Sequence, residues 1–112
     1  MIHRDLILPV PVLLIDHSVE QLNDLSDILM NFGYPEELLL SSTSLQHATL
    51  MVQHHLPNIV FINLQDWSKA DIEFIQNLKH FRKDTLVVAV LPSNMPKQLL
   101  QAIHLGISAY VF

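Results

Sequence analysis

The stretch PNIVFINLQD, residues 57–66, decides how the chain folds. Pro57 stops a helix from running into it. Residues 59–62 are apolar without a break, which suits a strand buried on both faces. Asn63 then sets one polar side chain at the strand's end. Working outward, the same layout repeats. Residues 12–15 (VLLI) form an apolar run that stops at Asp16. Residues 38–40 (LLL), 86–90 (LVVAV) and 109–112 (AYVF) are further strand candidates.

Helical patterns lie between these runs. Ser18-Val19-Glu20-Gln21 reads as a capping box, followed by Leu22, Leu25, Ile28, Leu29 and Phe32 at helical spacing and by Gly33 as a stop. Thr43-Ser44-Leu45-Gln46 offers a second box ahead of Leu45, Ala48, Val52 and Leu56. Ile72, Ile75, Leu78 and Phe81 form a third stripe, capped by Asp66 or Ser68. Ser93 or Asn94 can cap a fourth, with Pro96 in its first turn and Leu99, Leu100 and Ile103 facing inward. Gly106 would end it. Strands alternating with helices predict an α/β fold with a doubly wound parallel sheet. Right-handed crossovers and five such units favour the flavodoxin-like order 2-1-3-4-5. Ligands in that order gather at the C-terminal ends of strands one and three, where Asp16, His17 and Asn63 lie.

Composition bounds the function. The 112 residues make one domain, divided into an extension over 1–11 and a sheet-forming unit over 12–112, with the last helix of a five-unit fold lacking. Half the residues are hydrophobic and 15% are charged, with a net charge of −5 and six Lys and Arg. No basic face stands out, which argues against direct nucleic-acid binding. The absence of cysteine excludes disulfides, thiolate metal sites and a thiol nucleophile, and fits a cytoplasmic protein. The opening MIHRDLILPVPVLLID (1–16) is interrupted by Pro9, Pro11 and Asp16 and is too short to span a bilayer.

These residues together resemble the receiver domain of bacterial response regulators over nearly the whole chain. VLLIDHS (12–18) resembles the strand that ends in two acids. NFGYPEELLLSS (31–42) resembles the turn into strand two. PNIVFINL (57–64) resembles the strand that ends in the phospho-accepting aspartate. TLVVAVLPS (85–93) and AIHLGISAYVF (102–112) resemble strand four and the approach to strand five. Within the family, SKADIEFIQ (68–76) and QAIHLGISAYVF (101–112) resemble the AmiR/NasT antitermination regulators, which carry a helical RNA-binding ANTAR region after the receiver.

Carried over position by position, the resemblance implies a degenerate pocket. Asp16 matches the first acid, and His17 replaces the second. Asn63 replaces the phospho-acceptor, and Leu91 replaces the hydroxyl residue of the switch. Tyr110 matches the switch aromatic. Mg²⁺ prefers hard oxygens with carboxylates among them, and an amide is no nucleophile toward a phosphoryl donor. The expectation is a pseudo-receiver that is not phosphorylated, holds no metal or cofactor, is not an enzyme, and works through a protein partner or as a homodimer. Its output, transcription control or antitermination, would lie in a region after residue 112.

Other residues carry alternative readings. Asp16 with His17 could bind a metal or sense pH, or Asp16 could accept backbone hydrogen bonds while His17 faces solvent. His47 and His54 are seven apart and cannot share an ion, so with His55 they read as a solvated face. Asp66 is a displaced acid or a cap. Trp67 is a partner anchor or packs on its own loop. A flavodoxin-like small-molecule sensor is the competing function, although the loop DHSVEQ (16–21) has no glycine with which to cradle a phosphate. In the 2-1-3-4-5 order, helix one lies on one face of the sheet and helices two to four on the other. A fifth helix would normally join helix one, so part of the first face is left to Leu6, Ile7 and Leu8, to a second copy meeting it through that face or through strand five with Tyr110 and Phe112, or to a region outside this sequence.

Overall fold

The computed structural model describes residues 10–64, 68–90 and 104–111. Four strands, β1 (Val12–Ile15), β2 (Leu39–Ser42), β3 (Ile59–Asn63) and β4 (Leu86–Val90), form the body of a parallel sheet in the order 2-1-3-4. A three-residue β5 (Ala109–Val111) pairs in parallel with β4 at the edge. Each strand is followed by a connection that must return the chain to the same end of the sheet, which is what helices of three turns do. α1 (Val19–Asn31), α2 (Leu45–His55) and α3 (Lys69–Phe81) make the first three returns. The fourth helix expected after Ser93 or Asn94 falls on residues 91–103, outside the described residues.

Several helix ends differ from their sequence reading. The Ser18 hydroxyl accepts from the Gln21 amide N–H as expected, but the Gln21 side chain does not close a capping box and turns elsewhere. Ser44, not Thr43, caps α2, and its hydroxyl bonds the His47 N–H, so Gln46 is one place short of the reciprocal position. The complete capping box belongs to α3, between Ser68 and Asp71. Gly33 has φ +96°, as a helix stop requires. α2 stops at Leu56 rather than through Pro57 alone. Leu56 is left-handed at φ 47°, and its N–H closes on the Val52 carbonyl. The second strand also begins later than residue 38, because Glu36–Leu38 form a 3₁₀ turn after the extended Pro35.

The two faces of the sheet are covered unequally. Leu13, Ile15, Val60, Ile62, Val87 and Ala89 point to the side of α2 and α3 and are buried with Val52, Phe74, Ile75 and Leu78. Val12 and Leu14 point to the other side, where Leu22 of α1 is buried with them and Leu25, Leu29, Tyr34, Ile59 and Phe61 are half-buried. Farther from α1 on this face, Val88 and Val90 are half-buried and Leu86 is 50% exposed. At the strands' N-terminal end, Arg82 donates to the Leu56 carbonyl, and the buried Thr85 hydroxyl donates to the Pro57 carbonyl at 3.2 Å. These bonds satisfy carbonyls that the left-handed turn leaves outside the α2 ladder.

Candidate functional site

β1 and β3 are neighbours, so their C-terminal ends bring together residues 47 apart in sequence. Asp16 follows directly on β1. Its N–H bonds the Ser42 carbonyl and extends the pairing with β2 by one residue. Its carboxylate then turns to two different neighbours. Oδ1 accepts the Ser18 N–H at 2.9 Å, a local turn that presents Ser18 as the α1 cap. Oδ2 accepts from Asn63 Nδ2 at 2.8 Å. The donor end of the Asn63 amide is thus the end turned toward the carboxylate.

Gln21 completes the cluster from the first turn of α1. With Oε1 inward it accepts from Asn63 Nδ2 at 3.1 Å but sets an oxygen against the carboxylate. Turned over, its Nε2 lies 2.6 Å from Asp16 Oδ2 and 3.3 Å from Oδ1. The second orientation is the favourable one, because an ionised carboxylate can only accept, although it gives up the bond from Asn63 to Gln21 and leaves two N–H donors 3.1 Å apart. Asp16 is then surrounded by N–H donors from Ser18, Asn63 and Gln21.

This donor set does not fit a hard divalent cation. Mg²⁺ needs oxygens turned toward it, whereas the amide hydrogens of Asn63 and Gln21 point at Asp16, the one carboxylate the cluster holds among the described residues. The same hydrogens supply the positive end of a dipole where a cation would supply charge. Among the described residues, no group of three or more His, Cys, Asp or Glu is placed to hold a metal ion.

The sequence-predicted residues divide clearly. Asp16 and Asn63 are in direct contact. His17 is exposed and takes no part in the hydrogen bonding of the cluster. His54 and His55 are exposed on α2, as is His47, whose Nδ1 lies 3.2 Å from the Ser42 hydroxyl. Tyr110 enters the sheet in β5 opposite Ala89, and the switch role expected of its side chain lies outside what the structure describes. Leu91, Asp66 and Trp67 also lie outside the described residues. Gln21 is the site residue the sequence reading missed. The capping pattern had given its amide a backbone partner, and nothing in the spacing shows that a carboxylate on the preceding loop competes for it.

No family model matches the sequence, and no curated protein matches it. Solved structures do. The chemotaxis protein CheY4 of Vibrio cholerae superposes with a TM-score of 0.79 at 15% identity, over 93% of this chain and 86% of that one. A CheY-like response regulator receiver domain protein from Methanospirillum hungatei JF-1 gives 0.77 at 13% identity, over 93% and 81%. NtrX of Brucella abortus, solved in complex with ATP, gives 0.79 at 15% identity. There this chain spans 93% of its own length but 23% of the NtrX chain. The fold is therefore that of the CheY-like receiver domains.

Proposed function

We propose that this chain is a receiver-like signalling module that accepts no phosphoryl group and acts through contact with another protein, a second copy of itself included. The observation that supports this most directly is the amide cluster at the end of β1 and β3. Asn63 donates to Asp16 at 2.8 Å from the position where a receiver would carry its nucleophile. An amide nitrogen whose lone pair is delocalised does not attack phosphorus, and a carboxylate wrapped in N–H donors recruits no Mg²⁺. Such a domain keeps the shape of a receiver and offers it as a fixed binding surface. In the same proposal the module is cytoplasmic, belongs to a regulator of the AmiR/NasT type, and passes its signal to an output region controlling transcription or antitermination. No described helix is long and apolar enough to cross a membrane.

The test is intact mass after incubation with acetyl phosphate and Mg²⁺. The native chain is expected to gain nothing. A gain of one phosphoryl group, lost in Asp16→Asn or Asp66→Asn, overturns the proposal. Asn63→Asp is expected to strengthen Mg²⁺ binding, because it replaces an amide donor with a second carboxylate beside Asp16.

A second reading, a small-molecule sensor, draws on a groove of about 470 Å³. It runs between α2 and α3, with Leu45, Val52, Phe74, Leu78 and Phe81 as apolar lining and Thr49, Gln53 and Asn77 as polar lining. It lies along the helices rather than at the strand ends, where the flavodoxin-like expectation puts a ligand. Thermal shifts with nucleotides, flavins and amino acids separate the two readings. A saturable rise in melting temperature that is lost on Phe74→Ala favours the sensor.

A further inference from the structure

The two sides of the molecule differ in charge. Glu20, Asp24, Asp27, Glu36 and Glu37 lie on α1 and the 3₁₀ turn after it, and residues 17–42 hold no Lys or Arg. The chain has eleven Asp and Glu and six Lys and Arg, so the six acids elsewhere are balanced and the whole net charge of −5 belongs to this one segment. All five of its acids are exposed. α1 packs on the Val12 and Leu14 face of the sheet, whereas α2 and α3 pack on the opposite one. With a helix layer of about 10–12 Å on each side, the α1 acids stand more than about 20 Å from the outer surface of α2 and α3. That exceeds the roughly 8 Å over which exposed charges act at physiological salt.

The α2–α3 side carries both a cavity and side chains able to fill one. α2 contains no Asp, Glu, Lys or Arg. Among the described residues, Glu73 is the one charged residue lining the groove of about 470 Å³, and Gln46, Gln53 and Asn77 line it with amides. Its floor is Val52, Phe74 and Leu78, all buried. Phe81 lines the end toward the strands' N-termini and is 54% exposed. Leu50, next to Gln46 and Gln53 at helical spacing, is exposed to the same degree. At the other end of the groove, Ala70 is the smallest side chain of the lining.

These features select a second copy of the chain as the occupant. A surface that meets its own copy about a two-fold axis must carry both the cavity and the group that fills it. Amides donate and accept, so an amide face pairs with itself. Two copies meeting here hold their acidic sides apart. Copies meeting through α1 would set the same acids against each other with no Lys or Arg between them. The size sets the strength. α2 and α3, of 11 and 13 residues, lie side by side and present a face on the order of 400 Å² in projection. A standard interface takes about 800 Å² of accessible surface from each partner, so this contact belongs with the weak, transient ones.

We propose that two copies pack α2 and α3 face to face about a two-fold axis that crosses the groove, with Phe81 of each copy seated at the Leu45 and Ala70 end of the other's groove. This axis runs the helices of the two copies antiparallel. Phe81 then meets the small Ala70 rather than a second Phe81, and Glu73 lies beside Asn77 of the other copy rather than against a second Glu73. The proposal rests on the reading in which the module contacts a second copy of itself, and it names the surface.

The native chain is sedimented from about 1 μM to about 1 mM, the range of weak contacts. It is expected to pass from monomer to dimer. Phe81→Glu is expected to raise the dissociation constant at least about tenfold, as loss of an interface anchor does, with native circular dichroism. Leu50→Glu repeats the test at a second exposed position. Phe32→Glu is the control, since Phe32 is 86% exposed on the α1 side, and it is expected to leave the dimer unchanged. A dimer that survives both groove variants, or that Phe32→Glu weakens equally, overturns this surface and leaves the self-contact reading standing. A monomer at every concentration overturns both. Cross-linking tests the register. The chain has no cysteine, so Ala70→Cys and Phe81→Cys each supply one thiol. A disulfide needs Cα atoms within about 7 Å, and these two positions are about 16 Å apart along one α3. At a concentration where the native chain is dimeric, a mixture of the two variants is expected to oxidise to a mixed dimer at least about tenfold faster than either variant alone, the pairing that only the antiparallel axis brings within disulfide reach. A mixture no faster than either variant alone overturns the proposed axis.

Discussion

At the scale of single residues, the cluster around Asp16 rests on an asymmetry in hydrogen bonding. Removing the shared acceptor takes one bond from each donor of the cluster at once, while removing one donor leaves the carboxylate with others. Asp16→Ala is therefore expected to cost about 1–3 kcal/mol, because Asn63 Nδ2 and the Ser18 N–H each lose a bond to the same carboxylate. Gln21→Ala is expected to cost under about 1 kcal/mol, since its position is exposed and water can replace the amide. Urea melts of the two variants measure the difference. If Gln21→Ala were the more harmful, the cluster would be centred on the wrong residue. His17 shows the opposite case. It stands beside Asp16 in sequence, yet a strand end sends successive side chains to opposite sides, and His17 faces solvent.

At the scale of elements, the helix ends are where physical demands are most local. Ser68 holds α3 through a reciprocal bond with Asp71, whose carboxylate is buried at the helix start. Ser68→Ala is expected to cost about 1 kcal/mol, as loss of a capping hydroxyl does. Leu56 is a different kind of end. A left-handed residue is ordinarily glycine, and here a leucine holds φ 47° before Pro57. A β-branched side chain tolerates that backbone less well, so Leu56→Ile, at constant volume, is expected to destabilise by about 1 kcal/mol. Thermal melts check both. An unchanged melting temperature for Leu56→Ile would show that the turn relaxes out of the left-handed region.

At the scale of the molecule, one strand records the unequal cover of the sheet. Val87 and Val88 are chemically identical neighbours on β4, but Val87 is fully buried in the core shared with α2 and α3 and Val88 is half-buried on the other side. Val87→Ala is expected to cost about 1.5–3 kcal/mol and Val88→Ala clearly less, in proportion to the apolar surface each removes from water. Ile62→Ala, in the centre of the same core, is expected to cost about 2–5 kcal/mol. Denaturant midpoints give the order. Equal losses for the two valines would mean that the two faces of β4 are equally tightly filled.

What the sequence determined by itself was the alternation. Runs such as 59–62 and 86–90 are apolar at every position, and that is a property of strands covered on both sides, whatever covers them. Periodic stripes between them required helices, and parallel strands with right-handed returns left few orders to choose from. Asp16 and Asn63 were legible as a pair for the same reason, since the ends of neighbouring parallel strands must meet. The tertiary structure decided what those residues do with each other. An amide has a donor end and an acceptor end, and only the placement of Asp16, Gln21 and Asn63 in space sets the donor ends on the carboxylate. It likewise decided which cap closed its box and which face of β4 is the more deeply buried, because both depend on competition among groups that are distant in sequence.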